Sequence, residues 1–214
     1  MRVVTRTRDE VTVTVDSAVA TVLGAPYVRW YDSLPSGDPD RIDVLDLALP
    51  AFLDAVPNFK ALLGDCGWGP LRSRLDAASE MLARVPADVE LAAWEDTEPN
   101  RTVLKWLFQT CTGGRNNGIP EFGPARATKL LHKKRPALLP IIDSWQLEAW
   151  HKRPDPWSTD DMVDVVFNVR GQVVRWQDEL RQVRDQLAAA DPTLPALSDV
   201  RLYDILFWEA SRPS

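Results

Sequence analysis

From Ser158 to about Ala190, the apolar residues Val163, Val166, Val169, Val173, Trp176, Leu180, Val183 and Leu187 recur at intervals of three and four. That spacing puts them on one face of an α-helix, with charged residues on the other. Ser158 or Thr159, followed at once by carboxylates, supplies the start. A stripe of that length cannot stay in water, so other elements must cover it. Most of the remaining chain also reads as helices. The segments SAVATVL, YVRWYDSL, VLDLALPAFLDAV, LRSRLDAASEMLARV, TVLKWLFQTC, WQLEAWHK and VRLYDILFWEA carry the same period, divided by Pro26, Pro86, RPDPW and DPTLPALSD.

Asp43 is placed to cap the third of these segments, with Pro50 kinking it, and Asn100 or Thr102 to start TVLKWLFQTC. Only residues 2–15 alternate with a period of two, which predicts a strand or short hairpin. The expectation is a mainly α-helical single domain over residues 1–214. It has a small β element in 1–15 and roughly eight helices after it.

The chain has 214 residues, enough to bury a core without disulfides or metals. Its net charge of −6 argues against a general polyanion binder, so any nucleic-acid contact must come from a local patch. Cys66 and Cys111 are the only cysteines, and His132 and His151 the only histidines. With no CxxC or HxxxH spacing, no zinc or iron–sulfur ligand set is formed, and no metal or cofactor is expected. Two unclustered cysteines fit a reducing compartment. MRVVTRTRDEVTVTV has no continuous apolar run, and no later stretch reaches the length of a membrane span. A cytoplasmic protein without a membrane segment is expected.

One stretch departs from ordinary surface chemistry. GIPEFGPARATKLLHKKRPALLPIIDS places Arg126, Lys129, Lys133, Lys134 and Arg135 within ten residues, with no anion among them, and ends at Asp143 and Ser144. Arg126, Lys129 and Lys133 share a helical stripe, with Lys105 and Arg115 upstream. Glu95, Asp96 and Glu98 gather acidic charge elsewhere, so a basic face is expected. Pro124 suits the first position of a helix, and the free N–H groups after Gly123 make an anion site. Asp143 before Ser–Trp reads equally as a helix N-cap. Of nine tryptophans, Trp106, Trp145 and Trp150 lie near this stretch and are candidates to line a pocket. Trp176 and Trp208 fit packing periodicity.

The order helix, apolar-Pro-x-apolar-Gly turn, helix, apolar loop, Asp resembles the helix–hairpin–helix superfamily of DNA glycosylases, over about residues 100–150. Ile119, Pro120, Phe122 and Gly123 match its hairpin, and Ala127 matches the small residue early in the second helix. The helix–hairpin–helix would span about 101–134. The resemblance implies that the hairpin, with Ile119, Phe122, Gly123, Arg126, Lys129, Lys133 and Lys134, binds a DNA phosphate. It also implies that Asp143 is the catalytic carboxylate, with Trp145, Gln146 and Trp106 at a base pocket. The chain is also similar to an uncharacterised bacterial family with the signature GPxxATKLLxxKRPxLxPIxDS.

Two positions depart from the superfamily pattern. Glu121 stands at the first hairpin glycine, and Ala125 where bifunctional members carry a Schiff-base lysine. Lys129, one turn further on, is a poor substitute for that amine. The implied activity is monofunctional hydrolysis of the N-glycosidic bond of a modified base in DNA. Two alternatives stay open: a non-catalytic module binding nucleic acid or an acidic partner, and an enzyme acting on a small nucleoside or nucleotide.

Overall fold

The computed structural model describes residues 1–64, 67–113, 118–150 and 158–212. Cys66, Arg115 and His151 lie outside the described residues. The chain is mainly helical, with a two-stranded antiparallel sheet at its start. Strands β1 (Arg2–Val4) and β2 (Glu10–Thr12) pair with Val3 opposite Val11. Val3 is fully buried, and β1 packs on the last helix.

Helix α1 (Val15–Gly24) opens with a reciprocal cap: Thr14 Oγ1 accepts from the Ser17 N–H, and Ser17 Oγ from the Thr14 N–H. Pro26 then breaks the chain, and a short π-helix follows (Val28–Asp32). The segment predicted as one kinked helix is instead a 3-10 helix, Asp46–Leu53, with Pro50 inside it. Asp43 Oδ1 accepts from the Leu45 and Asp46 N–H groups, and Asp54 ends the element in the left-handed region at φ 56°. Helices α2 (Phe59–Gly64) and α3 (Trp68–Leu82) lead to a 3-10 turn, Leu91–Ala93.

Helix α4 (Glu98–Cys111) starts earlier than expected, because Thr97 rather than Asn100 or Thr102 caps it and Pro99 fits its first turn. Helices α5 (Pro124–Lys134) and α6 (Ser144–Trp150) follow. The stripe from Ser158 divides into α7 (Thr159–Arg175) and α8 (Gln177–Ala190). Trp176 is the joint: its φ of −114° and ψ of 21° leave the helical region, while its N–H still bonds Gln172 and its C=O receives the Leu180 N–H. A one-residue bend leaves the apolar period nearly intact, so it is invisible in the spacing. Helix α9 (Asp199–Ala210) closes the fold under a Ser198 cap.

Helix α7 runs through the core, with Met162, Val165, Val166 and Val169 completely buried. It packs against α4, α6 and α9, while α8 covers α1 and α9, and α3 lies on α4. Helix α5 packs on α4 and on the 3-10 helix Asp46–Leu53. That last contact decides the fate of the basic residues.

Candidate functional site

The turn before α5 is built as tightly as its glycines require. The Gly113 N–H donates to Phe122 O at 2.7 Å and the Phe122 N–H to Ile119 O at 3.2 Å. A Cβ on Gly118 would lie 2.0 Å from Thr112 O, so no other residue fits there without moving the backbone. Glu121 has φ 63°, the left-handed conformation for which glycine is the low-cost choice. Ile119 and Phe122 are core side chains rather than surface contacts. Gly123 caps α5 without a side-chain bond, and Arg126 turns back onto the turn, donating to Glu121 O and, at 2.8 Å, to Val56 O.

The expected basic face does not form from α5. Lys133 donates to Tyr31 O at 3.0 Å and Asp32 O at 3.2 Å. Lys134 donates to Asp38 O at 3.0 Å and forms an ion pair with Asp46 at 2.8 Å. Arg135 is 1% exposed, and its guanidinium donates to the carbonyls of Val85, Leu82, Pro39 and Lys134 and to the Asp40 carboxylate. These cations therefore face inward, and Lys133 and Lys134 are corrected from phosphate ligands to structural anchors. The physical reason is that residues 31–54 lie over this helix and present backbone carbonyls and the Asp46 carboxylate to its cations, which need acceptors once buried. Even His132 is internal: burial pushes its imidazole down to about 3, while Nδ1 lies 2.6 Å from Leu139 O. Lys105 pairs with Asp160 at 2.8 Å on the surface.

Asp143 is a helix N-cap that also faces a cavity. Its Oδ1 accepts from the Trp145 N–H at 2.9 Å and the Gln146 N–H at 3.0 Å, the geometry of an N-cap on α6. The same residue also lines a half-enclosed cavity of about 300 Å³. Burial raises its carboxyl above the usual carboxylate range. The Gln146 and Trp145 amides, the Lys129 ammonium and the Trp208 indole act against that rise. Lys129 lines the cavity too, with Nζ donating to Leu53 O at 2.5 Å; burial lowers its pKa while Asp143 and Asp54 act to raise it.

Behind them sits a buried polar layer. Asp204 accepts from the Ile141 N–H at 2.9 Å and from Gln146 Nε2 at 3.0 Å, and burial pushes its carboxyl up to about 7. Gln146 is 3% exposed, and its Oε1 has no hydrogen-bond partner among the described residues. Arg201 is held by both Asp32 oxygens, at 2.9 and 3.0 Å.

Tyr27, Trp30, Phe52 and Trp208 supply the aromatic wall. Trp208 is already covered: Trp145 stacks on it at 5.6 Å and Arg212 lies over its ring at 4.5 Å. Trp30 and Phe52 are the rings left free, 62% and 48% exposed. Two expected pocket tryptophans are therefore corrected. Trp145 backs Trp208 rather than lining the cavity, and Trp106 lies elsewhere, beside Arg74, Met81 and Gln109. Of the predicted residues, the cavity gathers Asp143, Gln146 and Lys129.

Sequence reasoning missed Asp204, Arg201, Trp208, Tyr27 and Trp30. A signal was present for the first three. On the helix DVRLYDILFWEA, residues 201, 204 and 208 fall on one face and carry Arg, Asp and Trp. Polar groups on a buried helix face mark an internal site rather than a solvated one.

Fold and site together define a mainly helical domain with a carboxylate-bearing aromatic cavity between α5, α6, α9 and the 26–54 region. The chain belongs to the family of unknown function DUF6308, whose model matches residues 15–211. No curated protein and no solved structure matches it. Among the described residues no helix is long and apolar enough to cross a membrane, and no group of three or more His, Cys, Asp and Glu is arranged to hold a metal ion.

Proposed function

We propose that the protein binds a heterocyclic base in this cavity and hydrolyses the N-glycosidic bond that joins it to a sugar, with Asp143 as the essential carboxylate. The observation that carries this reading is Asp143 itself. It is fixed by two backbone amides at the edge of an aromatic cavity, whose size sits at the small end of ligand sites. A carboxylate so held stabilises the positive charge that develops on the sugar as the C–N bond opens, and it does so without reorganising. The bond's electron pair leaves with the ring nitrogen. Water adds through oxygen to the sugar carbon, and its proton passes by way of Asp143 to the departing ring. The free faces of Trp30 and Phe52 hold the ring, as expected for base binding by stacking.

A free nucleoside or nucleotide suits this site better than a DNA strand. Lys133, Lys134 and Arg135 are engaged inside the fold, and the net charge is −6. A stripe of surface cations for a phosphate backbone is therefore missing from α5. One observation favours the second reading, action on a base in DNA as in helix–hairpin–helix glycosylases. Gly123 leaves the first-turn amides of α5 without a side-chain cap, next to Arg126, which is an anion-binding arrangement.

The test is base release from purine and pyrimidine nucleosides and from oligonucleotides carrying uracil, alkylated or oxidised bases. The wild type should release base from nucleosides, and Asp143→Asn should lose at least about a hundredfold in rate, the scale typical of a lost electrostatic stabiliser. Release from oligonucleotides alone selects the DNA reading. Release from neither, or equal release by the variant, contradicts the proposal.

A further inference from the structure

The charges and rings around the cavity specify more than a base. Three cationic side chains line it, and two are already neutralised: Arg201 by Asp32 at 2.9 Å, and Arg212 by Glu209 at 3.2 Å. The third, Lys129, is engaged with Leu53 O and faces two carboxylates, Asp143 and Asp54. Asp204 adds another carboxyl behind the Gln146 amide. Asp54 and Asp143 share Lys129, while Asp32 and Glu209 each pair with one of the two arginines, so carboxylates outnumber cations around the open space. It also carries free aromatic faces, because the two exposed rings are those of Trp30 and Phe52, and an aromatic face attracts cations.

The two free rings stand on irregular helical turns. Trp30 projects from the π-helix Val28–Asp32, in which Val28 and Tyr31 are the buried residues. Phe52 lies in the last turn of the 3-10 helix, two residues before the left-handed Asp54. Neither ring is needed for the core, and irregular helical turns of this kind recur at functional sites. At the back, Gln146 is almost wholly buried with an unpartnered oxygen, so the site also holds unused hydrogen-bonding capacity.

We infer that the heterocycle bound here is positively charged: the substrate class is a quaternised N-glycoside, such as a ring-alkylated purine nucleoside or an N-ribosyl pyridinium, held by Trp30 and by the carboxylates of Asp54 and Asp143. This rests on the base-binding reading above and narrows it. It also simplifies the chemistry. When the ring is cationic, the electron pair of the breaking C–N bond neutralises it, and no acid has to protonate the leaving group. Water gives its oxygen and one hydrogen to the sugar carbon, and the other proton goes by way of Asp143 to solvent. A single accessible carboxylate then suffices.

Isothermal titration of the full chain with cationic probes (nicotinamide riboside and 7-methylguanosine, the latter below neutral pH) and neutral ones (adenosine and guanosine) tests this. The cationic members are expected to bind at least about tenfold more tightly, the scale of one cation–π contact. Trp30→Ala should reduce their affinity about tenfold, with Trp30→Phe restoring most of it, and Asp54→Asn should narrow the gap between cationic and neutral ligands. Trp30 and Asp54 are both exposed, so these variants keep the fold. Equal or tighter binding of the neutral nucleosides overturns the charge inference. If those neutral ligands are also hydrolysed in an Asp143-dependent way, the base-binding reading stands without it. Trp30→Ala binding like wild type removes the stacking role. Binding of no nucleoside of either charge overturns both readings.

Discussion

Asp204 and His132 show how burial sets protonation in this protein, in opposite directions. Asp204 lies wholly inside, and its carboxyl rises to about 7 because its charged form loses water. The folded state therefore holds a proton that the unfolded chain releases near the ordinary value of 3.8. Stability contributed by this group is full below that ordinary value and is lost as pH rises toward 7. His132 behaves oppositely: its folded value near 3 lies below the ordinary 6.5, so its contribution is lost as pH falls below 6.5. Asp204→Asn removes the first effect and leaves the second. The unfolding free energy of wild type relative to Asp204→Asn should fall between about pH 4 and pH 7, by up to about 1.4 kcal/mol per pH unit. Above about pH 7 the difference should level off. Urea titrations at a series of pH values check it, and a difference independent of pH would contradict the buried-acid assignment.

The basic helix α5 shows what spacing conveys and what it does not. Its cations were legible as a cluster, and Leu130, Leu131 and Ala127 were legible as its core face. The partner of the charged side was not, because the 3-10 helix Asp46–Leu53 comes from far away in sequence and its own period reads as α-helical. Once residues 31–54 cover α5, its lysines and Arg135 become donors to the carbonyls that face them. The ion pair Lys134–Asp46 is nearly sealed, with side-chain exposures of 1% and 9%. Removing one partner of such a pair leaves an uncompensated charge, so Lys134→Met should destabilise the fold by about 3 kcal/mol or more. Adding Asp46→Leu should recover most of that loss. Chemical denaturation measures both, and a near-neutral Lys134→Met would return this lysine to the surface. The split between α7 and α8 at Trp176 was hidden for the opposite reason: nothing in the local chemistry interrupts the stripe.

At the scale of the molecule, the cavity is assembled from residues 26–30, 52–54, 129, 141–146 and 201–212. Asp143 and Gln146 stood out from the sequence because they follow a recognisable turn and helix. Tyr27, Trp30 and Phe52 carry no local mark, since an exposed aromatic residue in an irregular segment looks like any other until its neighbours are known. The Arg201, Asp204 and Trp208 face of α9 was readable in principle, as polar groups on an apolar helix. The mainly helical class and the N-terminal hairpin followed from periodicity alone. The site followed only from three-dimensional closure of segments drawn from both halves of the chain.

On the proposed reading, a nucleoside binds with its ring against Trp30 and its glycosidic carbon at Asp143. A crystal structure of the Asp143→Asn variant soaked with nicotinamide riboside tests it most directly. The ring should stack on the indole of Trp30, near Phe52. The sugar carbon bonded to the ring nitrogen should then lie within reach, through one water, of the carboxamide that the substitution places at position 143. A ligand bound elsewhere on the molecule, or an empty cavity at saturating ligand, would contradict it.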